Sequence, residues 1–268
     1  MISTKVKSST KLLVIITFII MVTINGLANV LPINGMDTGK ISDSYPNLFA
    51  PAGITFAIWG VIYLLLAIYT IYQTGVFRFK DNEASGELLN KVGIIFSLSS
   101  IANAAWIFSW HYQVIPLSMG LMIAILISLI LINRTIDREQ LSKKEQFYIR
   151  LPFSIYFGWI TVATIANATV LLVSLDWNRL GLPESMWTII ILIVGMVIGN
   201  ITMIKYKDIA YGIVLIWAYF GIWIKHTSLA GYSGQYPSII MTILMCIGLF
   251  IISEAYIIIT IRKTLKTG

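Results

Sequence analysis

Four sets of residues recur at helical spacing and share a chemistry. They are Phe18, Val22, Asn25 and Asn29; Phe56, Trp59, Tyr63 and Ala67; Ser99, Asn103, Trp106 and Trp110; and Tyr156, Trp159, Ala163 and Asn167. Residues three and four apart lie on one face of a helix. These faces combine carboxamides with large aromatic rings and carry no charge. If they converge, flat apolar walls and a few orienting hydrogen bonds make a small-molecule pocket. The same residues also fit a plainer role. Trp and Tyr gather at membrane interfaces, and a buried Asn can link helices for about 0.6–2 kcal/mol. Trp110 and Trp187 lie near span ends and fit an interfacial belt. Catalysis is not indicated: there is no nucleophile–base pair at a recognisable spacing and no HExxH, so no catalytic residue is assigned. One cysteine, Cys246, and two histidines, His111 and His226, leave no set for a metal centre.

The elements that must position these faces follow from composition. The chain has 268 residues, of which 57% are hydrophobic and 12% charged, and its mean hydropathy is +0.84. Soluble domains carry about 25% charged residues. Too little polar surface exists to cover a globule in water, so a soluble enzyme is excluded. Disorder is excluded because it requires low hydrophobicity. A membrane-spanning helix needs about 20 apolar residues. Eight stretches qualify: 12–31, 51–74, 91–110, 114–133, 148–173, 185–204, 208–225 and 237–261. The segments between them are too short to fold as an ATPase, kinase or nucleic-acid-binding module, and no nucleic-acid partner is expected.

Cytoplasmic loops retain Lys and Arg. Sixteen of the nineteen basic residues fall at the termini and in alternate loops, and only Lys40, Arg179 and Lys225 fall in the others. The expected fold is an all-α polytopic membrane bundle of eight helices with both termini inside. The net charge of +7 therefore reports topology. Lys5, Lys7 and Lys11 before an apolar run, with Gly26-Leu27-Ala28 beyond it, also fit a cleaved leader. Apolar character continuing to Leu31 favours a retained helix.

Further features lie within the spans. Glu254 stands inside the eighth, and an ionisable residue there is a candidate for proton or ion coupling. It equally fits a side chain reaching the interface near Arg262, or one bonded to a neighbouring hydroxyl. Gly195 and Gly199 form GxxxG, a close-packing face. Asp208 reads as a helix N-cap or first-turn acid.

The stretch Pro51-Ala52-Gly53-Ile54-Thr55-Phe56-Ala57-Ile58-Trp59-Gly60-Val61-Ile62-Tyr63 resembles the second helix of the tryptophan-rich sensory protein family, the TspO/MBR translocator group. Asn103, Trp106 and Trp110 resemble its third-helix motif. Pro152, Trp159, Ala163 and Asn167 resemble its fifth, with the eight-residue Trp-to-Asn spacing kept. There are departures. Ala52 replaces a second Pro, Phe56 to Trp59 is one residue short, and Pro152 to Trp159 is three residues long.

The resemblance covers residues 12–173 and implies a five-helix region over 1–173, with 174–268 as a three-helix extension. It implies a receptor or sensor that binds a tetrapyrrole- or sterol-like ligand. The cavity would be lined by Trp59, Asn103, Trp106, Trp159, Ala163 and Asn167 and covered by residues 32–50. It implies no cofactor beyond that tetrapyrrole ligand. Some family members are linked to light-dependent porphyrin breakdown, which indole oxidation could make a side effect of binding; no enzyme activity is assigned. The alternative is a secondary transporter or export permease subunit for a small hydrophobic or amphipathic solute. The eight spans, Glu254 and a faint echo of Ile58-Trp59-Gly60 in Ile216-Trp217-Ala218 point that way. The expected partners are membrane lipid and the ligand, and a homodimer is compatible with the sequence. Ile-rich spans and frequent Lys fit a prokaryotic cell membrane.

Overall fold

The computed structural model describes residues 5–31, 33–36, 38–76 and 85–267. Among them there is no strand. Eight helices are long and apolar enough to span a membrane. Their α-helical parts are α1 (Ser8–Val30), α2 (Ile58–Thr74), α3 (Gly86–His111), α4 (Ile115–Ile136), α5 (Leu151–Ser174), α6 (Glu184–Tyr206), α7 (Ile209–Thr227) and α8 (Pro237–Thr267), and short helical turns extend the second and fifth spans back to Gly53 and Lys143. The eight expected spans are all present. The chain is a multi-pass integral membrane protein.

Burial in α1 shows why these segments are helices in lipid. The helix hides Thr10, Thr17 and Asn25 and exposes Leu12, Ile16 and Ile19. That is the reverse of a soluble amphipathic helix. Lipid solvates the apolar face, whereas polar groups must be satisfied inside. The hydroxyls bond their own helix: Thr17 Oγ1 donates to the Leu13 carbonyl at 2.9 Å. Ser97 and Ser100 do the same to Gly93 and Phe96, each at 2.9 Å.

Helix ends follow local capping. Ser85 caps α3 by accepting from the Leu88 amide at 3.1 Å. The fifth span starts at Lys143, five residues before its apolar run, because Ser142 and Glu145 form a capping box. A π-helical turn, Gln146–Arg150, leads into α5. Asp208 caps α7 by accepting from the Tyr211 amide at 3.1 Å, as its sequence position predicts.

The chain forms two compact units. The first comprises residues 1–41 and 58–160, the second 42–57 and 161–268. In the first, α3 packs against α1 and α4. Tyr69, Phe96 and Phe153 form a closed ring triad there, with centroids 4.7–5.6 Å apart. In the second, α8 packs along α6 and α7. Gly195 faces Tyr219 and Ile165, and Gly199 faces Leu215 and Phe250. The GxxxG pair is therefore a close-packing face. α5 runs from the first unit into the second.

The segment 42–57 is fastened within the second unit. The Ala52 amide donates to the Gly221 carbonyl at 3.0 Å. Trp217 Nε1 donates to the Thr55 carbonyl at 3.0 Å. A Cβ at Gly221 would meet the Thr55 side chain, its Cβ included. Gly221→Ala should therefore force the backbone apart and cost about 1–3 kcal/mol. Thermal unfolding in detergent measures this, and an unchanged midpoint would contradict the close approach.

Candidate functional site

The first unit gathers the predicted aromatic faces into one cluster. Trp59 is its hub, on the first turn of α2. Tyr63, four residues on, stacks on it with centroids 5.4 Å apart and planes at 17°. Trp106 of α3 lies tilted at 6.4 Å. Tyr156 and Trp159 of α5 meet Trp59 edge-on at 6.0 and 6.1 Å. Edge-to-face and offset arrangements are favoured because ring faces are negative and ring edges positive. Trp110 stacks on Trp106 at 5.8 Å.

A hydrogen-bonded chain braces this cluster. Asn25 Nδ2 of α1 donates to Asn103 Oδ1 at 2.7 Å. Asn103 Nδ2 donates to the Tyr156 hydroxyl at 3.0 Å. Asn103 is fully buried and so ties α1, α3 and α5 together. Three spans thus meet through side chains that spacing had placed each on one face of its own helix.

Burial is uneven across the cluster. Trp106, Trp159 and Tyr156 are buried, whereas Trp59 and Tyr63 are half-buried. Trp106 Nε1 and the Tyr63 hydroxyl are buried with no hydrogen-bond partner among the described residues. An unmet donor in an apolar setting costs about 1–3 kcal/mol. A polar edge brought to the rings would find both groups ready to bond.

Of the six residues expected to line a pocket, the structure joins Trp59, Trp106 and Trp159 by ring contacts and ties Asn103 in through Tyr156. Ala163 and Asn167 stand one and two turns further along α5, in the second unit, with Asn167 buried. Glu254 also lies in the second unit. It is 8% exposed, and neither carboxylate oxygen has a hydrogen-bond partner among the described residues. It faces Gly212, where only a glycine leaves room for it.

Trp110 is not a belt residue. It is 5% exposed, and its Nε1 donates to the Thr38 carbonyl at 3.2 Å. Spacing alone did not expose this, because the partner comes from the loop after α1.

That loop, 32–50, was expected to form one cover. Pro32 and Asp37 lie outside the described residues. The remainder divides between the units, with a histidine holding each part. In the first unit, His111 Nδ1 lies 3.1 Å from the Ile33 carbonyl and Nε2 lies 3.1 Å from Thr38 Oγ1. A carbonyl can only accept, so Nδ1 carries the hydrogen. In the second unit, His226 Nε2 donates to the Leu48 carbonyl at 2.9 Å. Lys225 pairs with Asp43 at 3.2 Å. The Tyr232 hydroxyl donates to the Asn47 carbonyl at 3.2 Å. Burial holds the Tyr232 phenol above its ordinary pKa, and Glu184, Tyr236 and Asp43 push the same way. It therefore stays a neutral donor.

Comparison with curated proteins and with solved structures gives no match. Comparison with protein families matches residues 11–256 to the TSPO-like proteins. The match extends from α1 into α8, well beyond the first five spans, three of which carry the motifs. The chain belongs to the TSPO-like protein family.

Proposed function

We propose that this protein is a receptor or sensor of the cell membrane for a flat hydrophobic ligand, tetrapyrrole- or sterol-like. One observation carries the reading. A half-buried Trp59 touches four other rings, with two unmet polar hydrogens beside it. A planar ligand that slides between Trp59 and its neighbours exchanges ring–ring contacts for ring–ligand contacts of the same kind. Little dispersion energy is lost in opening the cluster. Trp106 Nε1 and the Tyr63 hydroxyl donate to the ligand's polar edge. Asn103 holds the walls in register, and Trp159 closes the far side. Ala163 and Asn167 extend the same face of α5.

The test uses shape. Protoporphyrin and a flexible brominated long-chain fatty acid, whose bromines quench indole on contact, are titrated into purified protein, with Trp quenching as the readout. Saturable quenching by the porphyrin alone supports a planar site. Equal quenching by both ligands would reduce the site to nonspecific apolar contact.

A second reading, transport of a small hydrophobic or amphipathic solute, rests on Glu254. A carboxylate more than nine-tenths buried in a span, with no hydrogen-bond partner among the described residues, suits a group that takes up and releases a proton. On that reading Glu254→Gln abolishes proton-coupled solute flux into vesicles. Undiminished flux in the variant would remove the coupling role.

A further inference from the structure

A cleft in the second unit lies far along the sequence from the aromatic hub and has a different chemistry. It has a volume of about 280 Å3 and is bordered by Pro46, Asn47 and the start of α6. Its walls include Trp177 and Trp187, packed edge to face with centroids 4.6 Å apart and planes at 67°. Asp176, Glu184 and Arg179 share the lining. By the distribution of basic residues, these loops are on the outer side of the membrane.

The polar amides and hydroxyls of the lining are already engaged. Asn47 bonds the Tyr45 carbonyl and the Phe49 amide. Asn178 accepts from the Leu180 amide, and Thr188 donates to the Glu184 carbonyl. The charged groups are not engaged in this way. Among the described residues, no ion pair joins Asp176, Arg179 or Glu184 to any partner, although all three border one cleft. Two carboxylates against one guanidinium leave the cleft net negative, and two indoles supply electron-rich faces. A cation over an indole face is attracted by the ring quadrupole, and quaternary ammonium groups are recognised in this way.

The backbone supports a built site. Asp176, Arg179 and Leu180 adopt left-handed φ values of 49°, 55° and 56°. Non-glycine residues held there concentrate at functional sites, where the surroundings fix them. Here the Asn178 side chain fixes the turn, and so do backbone bonds from Gly181 to Asn178 and from Leu182 to Arg179.

We infer that this cleft binds a small organic cation, an alkyl- or quaternary ammonium group, against the packed Trp177–Trp187 pair with Asp176 and Glu184 as counter-charges. Its volume lies just below the usual range for ligand pockets, about 300–1,000 Å3. A headgroup-sized cation fits such a volume and a tetrapyrrole does not. The ligand class is therefore distinct from that proposed for the Trp59 cluster.

The ammonium could come from free solute or from a choline lipid. The test is a calorimetric titration of choline and tetramethylammonium into full-length protein in phosphatidylglycerol nanodiscs, which contain no amine. Saturable binding is expected, weakened tenfold or more in Glu184→Gln and in Trp187→Phe. Far-ultraviolet circular dichroism of each variant monitors the fold. If the binding heat disappears in phosphatidylcholine nanodiscs, the same site is supported with the lipid headgroup as occupant. If it persists there, free solute is the ligand. The proposal is overturned by the absence of saturable binding to folded wild type in phosphatidylglycerol discs. It is equally overturned if both variants bind with wild-type affinity.

Discussion

Trp59→Leu should lower protoporphyrin affinity roughly tenfold while leaving the fold intact. The substitution keeps apolar volume on the first turn of α2 but removes the flat indole that faces four rings. An aromatic pair contributes about 0.5–1.5 kcal/mol beyond its area, and 1.4 kcal/mol is a factor of ten in affinity. Trp59 is half-buried, so its loss costs less stability than loss of the buried Trp159. Affinity is read from Soret absorbance, with thermal unfolding alongside. An unchanged dissociation constant in the folded variant would place the ligand elsewhere.

Asn103→Ala acts on the bracing and not on the rings. It removes the acceptor of Asn25 and the donor to Tyr156, both within the buried interior. Interhelical hydrogen bonds in membranes average about 0.6 kcal/mol and reach about 1.7. Two such bonds, and the cavity that a smaller side chain leaves, put the loss at about 2–3 kcal/mol. Tyr156→Phe removes the second bond, keeps the first, and should cost about 1 kcal/mol. Unfolding by sodium dodecyl sulfate titration, followed by circular dichroism, separates the two variants. Equal losses would mean that the bond to Tyr156 carries the whole effect and that the Asn25 bond and the packing of Asn103 add nothing.

Much of this architecture could be read from the sequence because hydropathy and helical spacing are local properties. The apolar run 12–31 became Ser8–Val30, and 185–204 became Glu184–Tyr206. Ends shifted where polar caps lie outside the apolar window, as Ser142 and Glu145 do. Spacing put Trp59, Trp106 and Trp159 each on a polar or aromatic face of its own helix, and the packing of the helices brings Trp59 against the other two.

What spacing could not supply was the partner brought from a distant loop. Trp110 fits a belt by position, but Thr38 captures its indole hydrogen. Residues 32–50 read as one cover, yet His111 and His226 fasten their two parts in different units. The cleft at Trp177 and Trp187 depends on left-handed turn residues that carry no glycine signature. Arg179 and Leu180 would not be chosen for such a turn on propensity.

The most direct test of the central claim is photoaffinity labelling. A diazirine-bearing protoporphyrin is bound to the purified protein in nanodiscs, irradiated, and its adducts are located by mass spectrometry. Adducts concentrated on the segments around Trp59, Trp106 and Trp159, and suppressed by excess unlabelled protoporphyrin, are the predicted result. Labelling spread over lipid-facing residues such as Leu64 and Ile252, with no suppression by competitor, would contradict the claim.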